Sequence, residues 1–176
     1  MTDLDFEAYV LASGPRLKRL AYLLTGDVDT AEDLLQSAYA KALPRWSRIR
    51  TYDQPDAYMR RVLVNGRTSM WRRSRGREVL TDQVPDRPAV DAGRHDDAEE
   101  LRQALRALPA KQRAAVVLRF YCDLSEQETA AAMGVSVGTV KSHTSRGLAR
   151  LRELVPATGR AAGPPAAQGS AREESR

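Results

Sequence analysis

Short polar and cationic side chains recur along one side of the stretch from residue 137 to residue 152. They are Thr139, Lys141, Ser142, Ser145, Arg146 and Arg150, and no acidic residue interrupts them. Hydroxyl groups can hydrogen-bond to base edges, and cations can meet phosphate oxygens. These residue types at this spacing therefore predict a surface that binds DNA.

Two helices with a tight turn between them are needed to hold that surface. Ser125 and Glu128 have the spacing of a capping box, which begins the first helix. Gly134 can end it in a left-handed conformation, and Ser136 is a suitable N-cap for the second helix. Small or apolar residues then follow at helical spacing: Val140, Thr144, Gly147, Leu148 and Leu151. The pattern predicts a helix-turn-helix that reads the major groove. The alternative is an ordinary helical hairpin with a solvated polar face.

A second cationic stretch follows Asp56, where a helix is expected to begin and to run to about residue 75. Its apolar set is Tyr58, Val62, Leu63 and Met70, and arginines are interleaved with Asn65, Thr68 and Trp71. This mixture suits single-stranded nucleic acid, because cations follow the backbone while rings stack on unpaired bases. A solvated basic helix with Trp71 packed in the core is the alternative.

Charge along the chain of 176 residues is segregated into blocks. The net charge is +5, which suits a polyanion but does not choose between nucleic acid and a membrane surface. Residues 41 to 77 contain eleven Lys or Arg and two acids, whereas residues 78 to 100 contain eight acids and two Arg. We expect the acidic block, which also contains Pro and Gly, to be a flexible linker.

Several classes of protein are disfavoured by what the chain contains. The single cysteine, Cys122, rules out an intrachain disulfide and a cysteine metal cluster. The acidic start lacks the pattern of a signal peptide, and no apolar run approaches the ~18 residues of a membrane span. We expect a cytoplasmic protein without membrane insertion, cofactor or metal.

The remaining segments also have helical patterns. A short helix around Phe6 and Tyr9 is expected to break at residues 13 to 15, followed by a helix with Leu17, Leu20, Ala21, Leu23 and Leu24 inward. Asp29 and Glu32 resemble a cap for the next helix, which Pro44 closes, and a loop is expected from Ser47 to Pro55. Near residue 100 a helix should turn Leu101, Leu105 and Leu108 inward, and the next should bury Ala114, Val117, Leu118 and Tyr121.

These elements together predict an all-α protein with two small helical domains. The expected boundaries are residues 5–75 and 99–155, with the linker at 76–98 and a disordered tail at 156–176. Three segments resemble the extracytoplasmic-function (ECF) sigma factors of bacterial RNA polymerase, in the actinobacterial sigma-E-like group. They are RLAYLLTGDVDTAEDLLQSAYAKAL (19–43), AYMRRVLVNGRTSMWRR (57–73) and the stretch from residue 108 to residue 152.

The resemblance implies three binding surfaces. One implied surface docks on the β′ clamp of core polymerase and comprises Asp33, Gln36 and Ser37; relatives often have an acid where Ser37 stands. The second implied surface binds the −10 promoter strand and comprises Ile49, Arg50, Tyr52, Asn65, Arg67, Thr68, Trp71, Arg72 and Arg73. The third implied surface reads the −35 element and comprises Thr139, Lys141, Ser142, Ser145 and Arg146. The polymerase β flap and, in many relatives, an anti-sigma factor are further implied partners.

Two other classes of function were weighed against a sigma factor. A two-component regulator also ends in such a helix-turn-helix, but it needs a receiver domain with alternating strands and helices in front. A small helical nuclease needs a catalytic cluster, and His95 and His143 are the only histidines. The acids Asp29, Glu32 and Asp33 are explained by their position at the start of a helix. We therefore expect a transcription initiation factor and not an enzyme.

Overall fold

The computed structural model describes residues 2–51, 55–77 and 96–155, with only the backbone described for residues 2–4, 68, 70–77 and 96–97. All regular elements in these ranges are helical, in agreement with the all-α prediction. The N-terminal domain contains α1 (Thr2–Thr25), α2 (Val28–Ala42), α3 (Trp46–Ile49) and α4 (Pro55–Arg77). The C-terminal domain contains α5 (Asp96–Ala107), α6 (Ala110–Val116), α7 (Glu126–Met133) and α8 (Val137–Leu154). The expected linker and tail lie largely outside the described residues.

Helix α1 is continuous, so the predicted break at residues 13 to 15 was wrong. Pro15 lies inside the helix and cannot donate to the carbonyl of Leu11. Leu11 is 74% exposed, so this part of the helix is open to water. Ser13 lies one turn after Tyr9 and its hydroxyl donates to the Tyr9 carbonyl at 2.7 Å. The helix therefore tolerates Pro15 on its exposed side.

The start of α2 was placed two residues late by the sequence pattern. Its N-cap is Asp27, whose carboxylate accepts the amide of Thr30 at 2.8 Å. This hydrogen bond lowers the pKa of the Asp27 carboxyl. Gly26 precedes the cap with φ of 84°, a conformation that glycine adopts without a Cβ clash.

The expected loop at Ser47 begins instead with ordered helix. A 3-10 turn, Leu43–Arg45, leads directly into α3. Trp46 and Ile49 are buried there. The Trp46 ring packs edge-on against the Phe6 ring, with 5.1 Å between the ring centroids, and lies 4.7 Å from the centroid of the Tyr9 ring. The aromatic residues at the start of the chain therefore pack on α3, which holds the segment before α4.

In the C-terminal domain, α6 runs into a π-helical segment, Val117–Tyr121, that turns the chain toward α7. Asp123 follows with φ of 52°, and the side chain of Arg119 donates to the Leu124 carbonyl. The capping box of Ser125 and Glu128 is confirmed, as are the left-handed Gly134 and the N-cap Ser136. These features give α7 and α8 the predicted helix-turn-helix connection.

Burial agrees with most of the predicted apolar stripes and departs from them at three places. Leu17, Leu20, Ala21 and Leu24 are buried in α1 as expected. Leu101 is 47% exposed and Tyr121 is 41% exposed, so both predictions of inward side chains were wrong. On α4, Met59 and Val64 are buried, whereas Tyr58 and Val62 are half-buried. One apolar cluster includes buried residues from both domains, and α4 packs against α7.

Candidate nucleic-acid interface

The second helix of the helix-turn-helix, α8, has one buried side and one open side. The Ser136 hydroxyl accepts the amide of Thr139 at 3.2 Å and lies 2.9 Å from the Thr139 hydroxyl. Val140 is fully buried, and Gly147 is buried about two turns further along on the same side. The residues between them on the opposite side are therefore free to meet a ligand.

Gly147 brings α8 very close to α6. A Cβ at this position would lie 2.7 Å from Val116 Cγ2 and 3.3 Å from the Gln112 carbonyl oxygen. Both distances are shorter than ordinary van der Waals contact between such atoms. The absence of a side chain at Gly147 is thus what allows α8 to lie on α6.

The five predicted reading residues share the open side of α8. Lys141, Ser145 and Arg146 are exposed, and Thr139 and Ser142 are half-buried. Glu126, which the sequence pattern did not single out, lies opposite Lys141 with its Oε2 atom 3.5 Å from Nζ. Both side chains are substantially solvent-accessible, so the ion pair is weak and DNA phosphate can displace it.

His143 is on α8 but is partly withdrawn from solvent. Its Nδ1 atom is buried without a hydrogen-bond partner among the described residues. Burial, together with the nearby charges of Lys111 and Arg146, lowers the pKa of His143. The neutral imidazole is therefore the form that fits the packed α6 and α8 pair.

The predicted strand-binding helix, α4, presents Asn65 to solvent while Met59 and Leu63 are fully buried on the other side. Gly66 is buried against α2, where a Cβ would lie 2.7 Å from Leu34 Cδ1. Arg67 is half-buried, and its Nε donates to the Leu24 carbonyl at 3.4 Å. The geometry thus gives Asn65 an open position and turns Arg67 toward the end of α1.

The other predicted strand-binding residues, in the segment before α4 and further along α4, differ in burial and in whether the structure describes them. Ile49 is 1% exposed, so its side chain supports the segment from the core and does not reach a base directly. Arg50 is exposed, and its Nη1 lies 2.7 Å from Asp5 Oδ2. Tyr52 is outside the described residues. The backbone of α4 carries Thr68, Trp71, Arg72 and Arg73, whose side chains are not described.

The predicted polymerase-docking residues all lie on the outer side of α2. Asp33, Gln36 and Ser37 are exposed, while Leu34, Leu35 and Ala38 on the opposite side are buried. Glu32 is on the same outer side and pairs with Lys18 at 2.6 Å. A carboxylate, an amide and a hydroxyl thus share one polar patch that is held on a rigid helix.

Two parts of the chain match known protein families. Residues 9–77 match Sigma-70 region 2, and residues 98–151 match Sigma-70, region 4. The RNA polymerase sigma-E factor of Streptomyces coelicolor is 47% identical over 151 residues, which cover 85% of each chain. The chain belongs to the ECF sigma factors of the sigma-70 family. It binds core RNA polymerase and promoter DNA and directs transcription initiation.

More distant relatives and solved structures agree with this assignment. The ECF RNA polymerase sigma factor EcfG of Rhodopseudomonas palustris is 32% identical over 83% of this sigma factor and 82% of its own chain. The sigma factor RpoE of Bartonella quintana, solved with the anti-sigma factor NepR, is 33% identical. Its TM-score is 0.66, with coverage of 85% of this chain and 96% of that one. CnrH, at 21% identity and a TM-score of 0.59, shares the fold.

Two arginines between the domains, Arg106 and Arg113, were missed by the sequence pattern. Arg113 is buried, Arg106 reaches the Tyr22 hydroxyl at 2.7 Å, and Arg67 lies beside them. A signal was present for Arg113, which is on the same helical stripe as the buried Val117. Its guanidinium can satisfy several carbonyls at once, which is why a cation is tolerated on that stripe.

Among the described residues, no group of three His, Cys, Asp or Glu side chains could hold a metal ion. The described helices also include none that is long and apolar enough to cross a membrane.

Proposed function

We propose that α4 and α8 are two separate DNA-binding elements with which this sigma factor contacts one promoter. Residues 5–75 form the domain that binds polymerase and the −10 strand, and residues 99–155 form the domain that reads the −35 duplex. The observation that supports this most directly is the pair of open polar positions, Asn65 on α4 and the Lys141 to Arg146 side of α8. Each lies opposite a fully packed apolar side, so each is rigidly held.

On α8, Thr139, Lys141, Ser142, Ser145 and Arg146 contact the −35 duplex. The exposed Lys141 and Arg146 meet phosphates or base edges, and the hydroxyls of Ser142 and Ser145 complete the reading surface. Lys141 exchanges its contact with Glu126 for a contact with DNA. The pair with Glu126 keeps the lysine over the open side before DNA arrives.

On α4, Asn65 and the segment containing Arg50 and Tyr52 capture an unpaired base of the −10 element. Thr68, Trp71, Arg72 and Arg73 follow along the strand, and Ile49 holds the segment in place from the core. Each stacked DNA step costs roughly 1.4 kcal/mol to open. A site that binds only the extruded base recovers part of that cost in the melted state, so it selects sequence and melting together.

The outer side of α2 docks on the β′ clamp through Asp33, Gln36 and Ser37, and the C-terminal domain meets the β flap. The factor does its work by binding and carries out no catalytic step of its own. It acts in the cytoplasm, where polymerase and the chromosome are found. An anti-sigma factor is a further partner, since the similar Bartonella quintana sigma factor was solved in complex with one.

Run-off transcription with purified core polymerase on fragments of the source genome tests the proposal. The wild-type factor should yield discrete promoter-dependent transcripts. Asn65→Ala and Arg146→Ala should each reduce them by about tenfold, as expected for loss of one specific contact. Arg19→Ala, which removes an exposed arginine outside all three surfaces, is the matched control and should transcribe normally.

The two variants should fail at different steps. Asn65→Ala should still form the closed complex, detected by protection of the −35 duplex, but should show weak reactivity of unpaired thymines. Arg146→Ala should lose the protection itself. Absence of any promoter-dependent transcript with the wild-type factor would refute the proposal.

A further inference from the structure

The described residues that we propose to capture the unpaired base come from two different elements. Arg50 directly follows α3, whereas Asn65 lies in the middle of α4. A base held by both side chains needs a fixed distance between them, because a shift of about 1 Å is enough to weaken a site of this kind. Residues that fix this distance therefore contribute to base capture without touching the base.

One side of α1 contacts both of these elements. Asp5, Tyr9 and Arg16 are separated by four and by seven residues, about one and two helical turns, so their side chains share that side. The Oδ2 atom of Asp5 lies 2.7 Å from Nη1 of Arg50, which follows α3. The Nη2 atom of Arg16 lies 2.5 Å from Oδ2 of Asp56, in the first turn of α4. Helix α1 thus holds the end of α3 and the start of α4 together.

Tyr9 contacts both elements by itself. Its ring lies 4.7 Å from the Trp46 ring of α3, measured between the centroids, and its hydroxyl donates to Asp56 Oδ1 at 2.7 Å. Burial, followed by the hydrogen bond to Asp56, raises the pKa of the Tyr9 hydroxyl, so the hydroxyl remains a donor at physiological pH. Trp46 is 3% exposed, so the ring end of Tyr9 cannot shift without disturbing the core.

Asp56 is the matching anchor on α4. Each of its two carboxylate oxygens has its own partner on α1, Tyr9 at Oδ1 and Arg16 at Oδ2. Only 25% of the Asp56 side chain is exposed, so these charge-assisted contacts are partly shielded from water. A carboxylate bound from two directions fixes both the position and the rotation of the first turn of α4. Because Asn65 is part of the same continuous helix, its position is fixed as well.

We propose that Tyr9 and Asp56 are positioning residues for capture of the −10 base, and that they set the distance between Arg50 and Asn65 before DNA binds. This inference rests on the proposed function of α4. The extruded base then enters a site that already has its binding geometry, which lowers the ordering cost of binding. Loss of the Tyr9 hydroxyl lets the two parts of the site move relative to each other. Affinity for the base should fall, while the contacts with duplex DNA remain.

Fork DNA measures base capture separately from the other promoter contacts. A promoter found by run-off transcription supplies the −35 duplex and the single-stranded −10 segment, and each −10 base is replaced in turn by an abasic site. The captured base is the one whose replacement weakens holoenzyme binding most. The readout is the dissociation constant for that abasic DNA divided by the constant for the intact DNA. A variant that only lowers the amount of folded factor weakens binding to both DNAs equally and leaves this ratio unchanged.

Tyr9→Phe should lower the ratio by about fivefold, because the ring still packs on Trp46 but the hydroxyl that reaches Asp56 is gone. Asp56→Ala should lower it at least as much, since Arg16 also loses its partner. The double variant should have the same ratio as Asp56→Ala alone, because Tyr9 acts through Asp56. A further fall in the double variant would overturn this connection.

Tyr22→Phe is the matched control. It removes another tyrosine hydroxyl of α1 with an equally short hydrogen bond, 2.7 Å, but the partner is Arg106 on α5. Its ratio should equal that of the wild type. Circular dichroism establishes that each variant is folded. A wild-type ratio in Tyr9→Phe, or a ratio that falls as far in Tyr22→Phe, would overturn the positioning role.

Asn65→Ala separates this inference from the proposed function. If Asn65→Ala leaves the ratio unchanged, α4 does not capture the base and the proposed function is at fault. If Asn65→Ala lowers the ratio but Tyr9→Phe does not, the proposed function stands and the positioning role is wrong. If both variants lower the ratio, both are supported.

Discussion

His143 connects the protonation of a single side chain to the packing of the reading helix. Its buried Nδ1 and depressed pKa mean that the unfolded chain takes up a proton more readily than the folded one. Stability is therefore fully present above the ordinary histidine pKa of about 6.5 and is lost as the pH falls through that value toward the lower folded pKa. Protonation of His143 thus opposes the packing of α8 on α6.

We expect the free energy of unfolding to decrease when the pH is lowered from about 7.5 to about 5.5. His143→Gln should lessen this decrease because glutamine does not titrate. Urea unfolding at several pH values measures the effect. His95→Gln replaces the other histidine of the chain and should retain the full decrease. Equal pH dependence in both variants would contradict the prediction.

Single side chains were predictable where local spacing decides their position. The cap residues Ser125, Glu128 and Ser136 follow from neighbours within four positions. Ile49 and Tyr121 do not, because burial of the first accompanies the packing of α3 on α1 and exposure of the second accompanies a π-helical turn. The candidate reading side of α8 could be identified from its charge pattern. The interdomain role of Arg113 required knowledge of both domains together.

At the scale of the element, α1 shows that a proline need not end a helix. Pro15 lies at an exposed place, and the carbonyl one turn earlier can be hydrated. The sequence motif Ser-Gly-Pro indicates a break only when packing does not hold both sides in line. Here Leu17, Leu20 and Leu24, which follow the proline, pack in the same core as Tyr9, which precedes it. Tertiary contacts therefore keep the helix continuous.

Pro15→Ala should stabilise the N-terminal domain by about 1 kcal/mol, because it restores an amide that can donate to the Leu11 carbonyl. Thermal unfolding should show a rise of several degrees in Tm. Pro55, at the first position of α4, provides the matched comparison. Since the amide there has no helical partner, Pro55→Ala should not stabilise the protein. A rise of similar size in both variants would count against this explanation.

At the scale of the whole molecule, the all-α class and the presence of two domains could be predicted from periodicity and charge blocks. The packing of one domain on the other could not be predicted, because the periodicity of each helix shows which side is buried but not which domain covers it. The apolar cluster nevertheless includes Leu17 and Leu34 of one domain with Leu105 and Leu118 of the other. Contacts between elements that are far apart in sequence leave no periodic signal.

Phosphate contacts made by the arginines should make promoter binding by the holoenzyme strongly dependent on salt. A plot of the logarithm of the association constant against the logarithm of the salt concentration should have a slope of about −0.9 for each phosphate neutralised. If Arg146 contacts a phosphate, Arg146→Ala should flatten the slope by about one such increment. Arg19→Ala should leave it unchanged. Fluorescence anisotropy with a labelled promoter duplex provides the measurement, and equal slopes for all three proteins would remove Arg146 from the phosphate contacts.

The close contact between Gly147 and α6 restricts the orientation in which α8 can bind the double helix. Because there is no room for even a methyl group at this crossing, α8 cannot change its tilt without disturbing Val116 and Gln112. The reading surface is therefore preorganised, and association costs little ordering entropy on the protein side. Adjustment must come from the DNA, so bendable base steps within the −35 element should improve recognition even where no side chain contacts them.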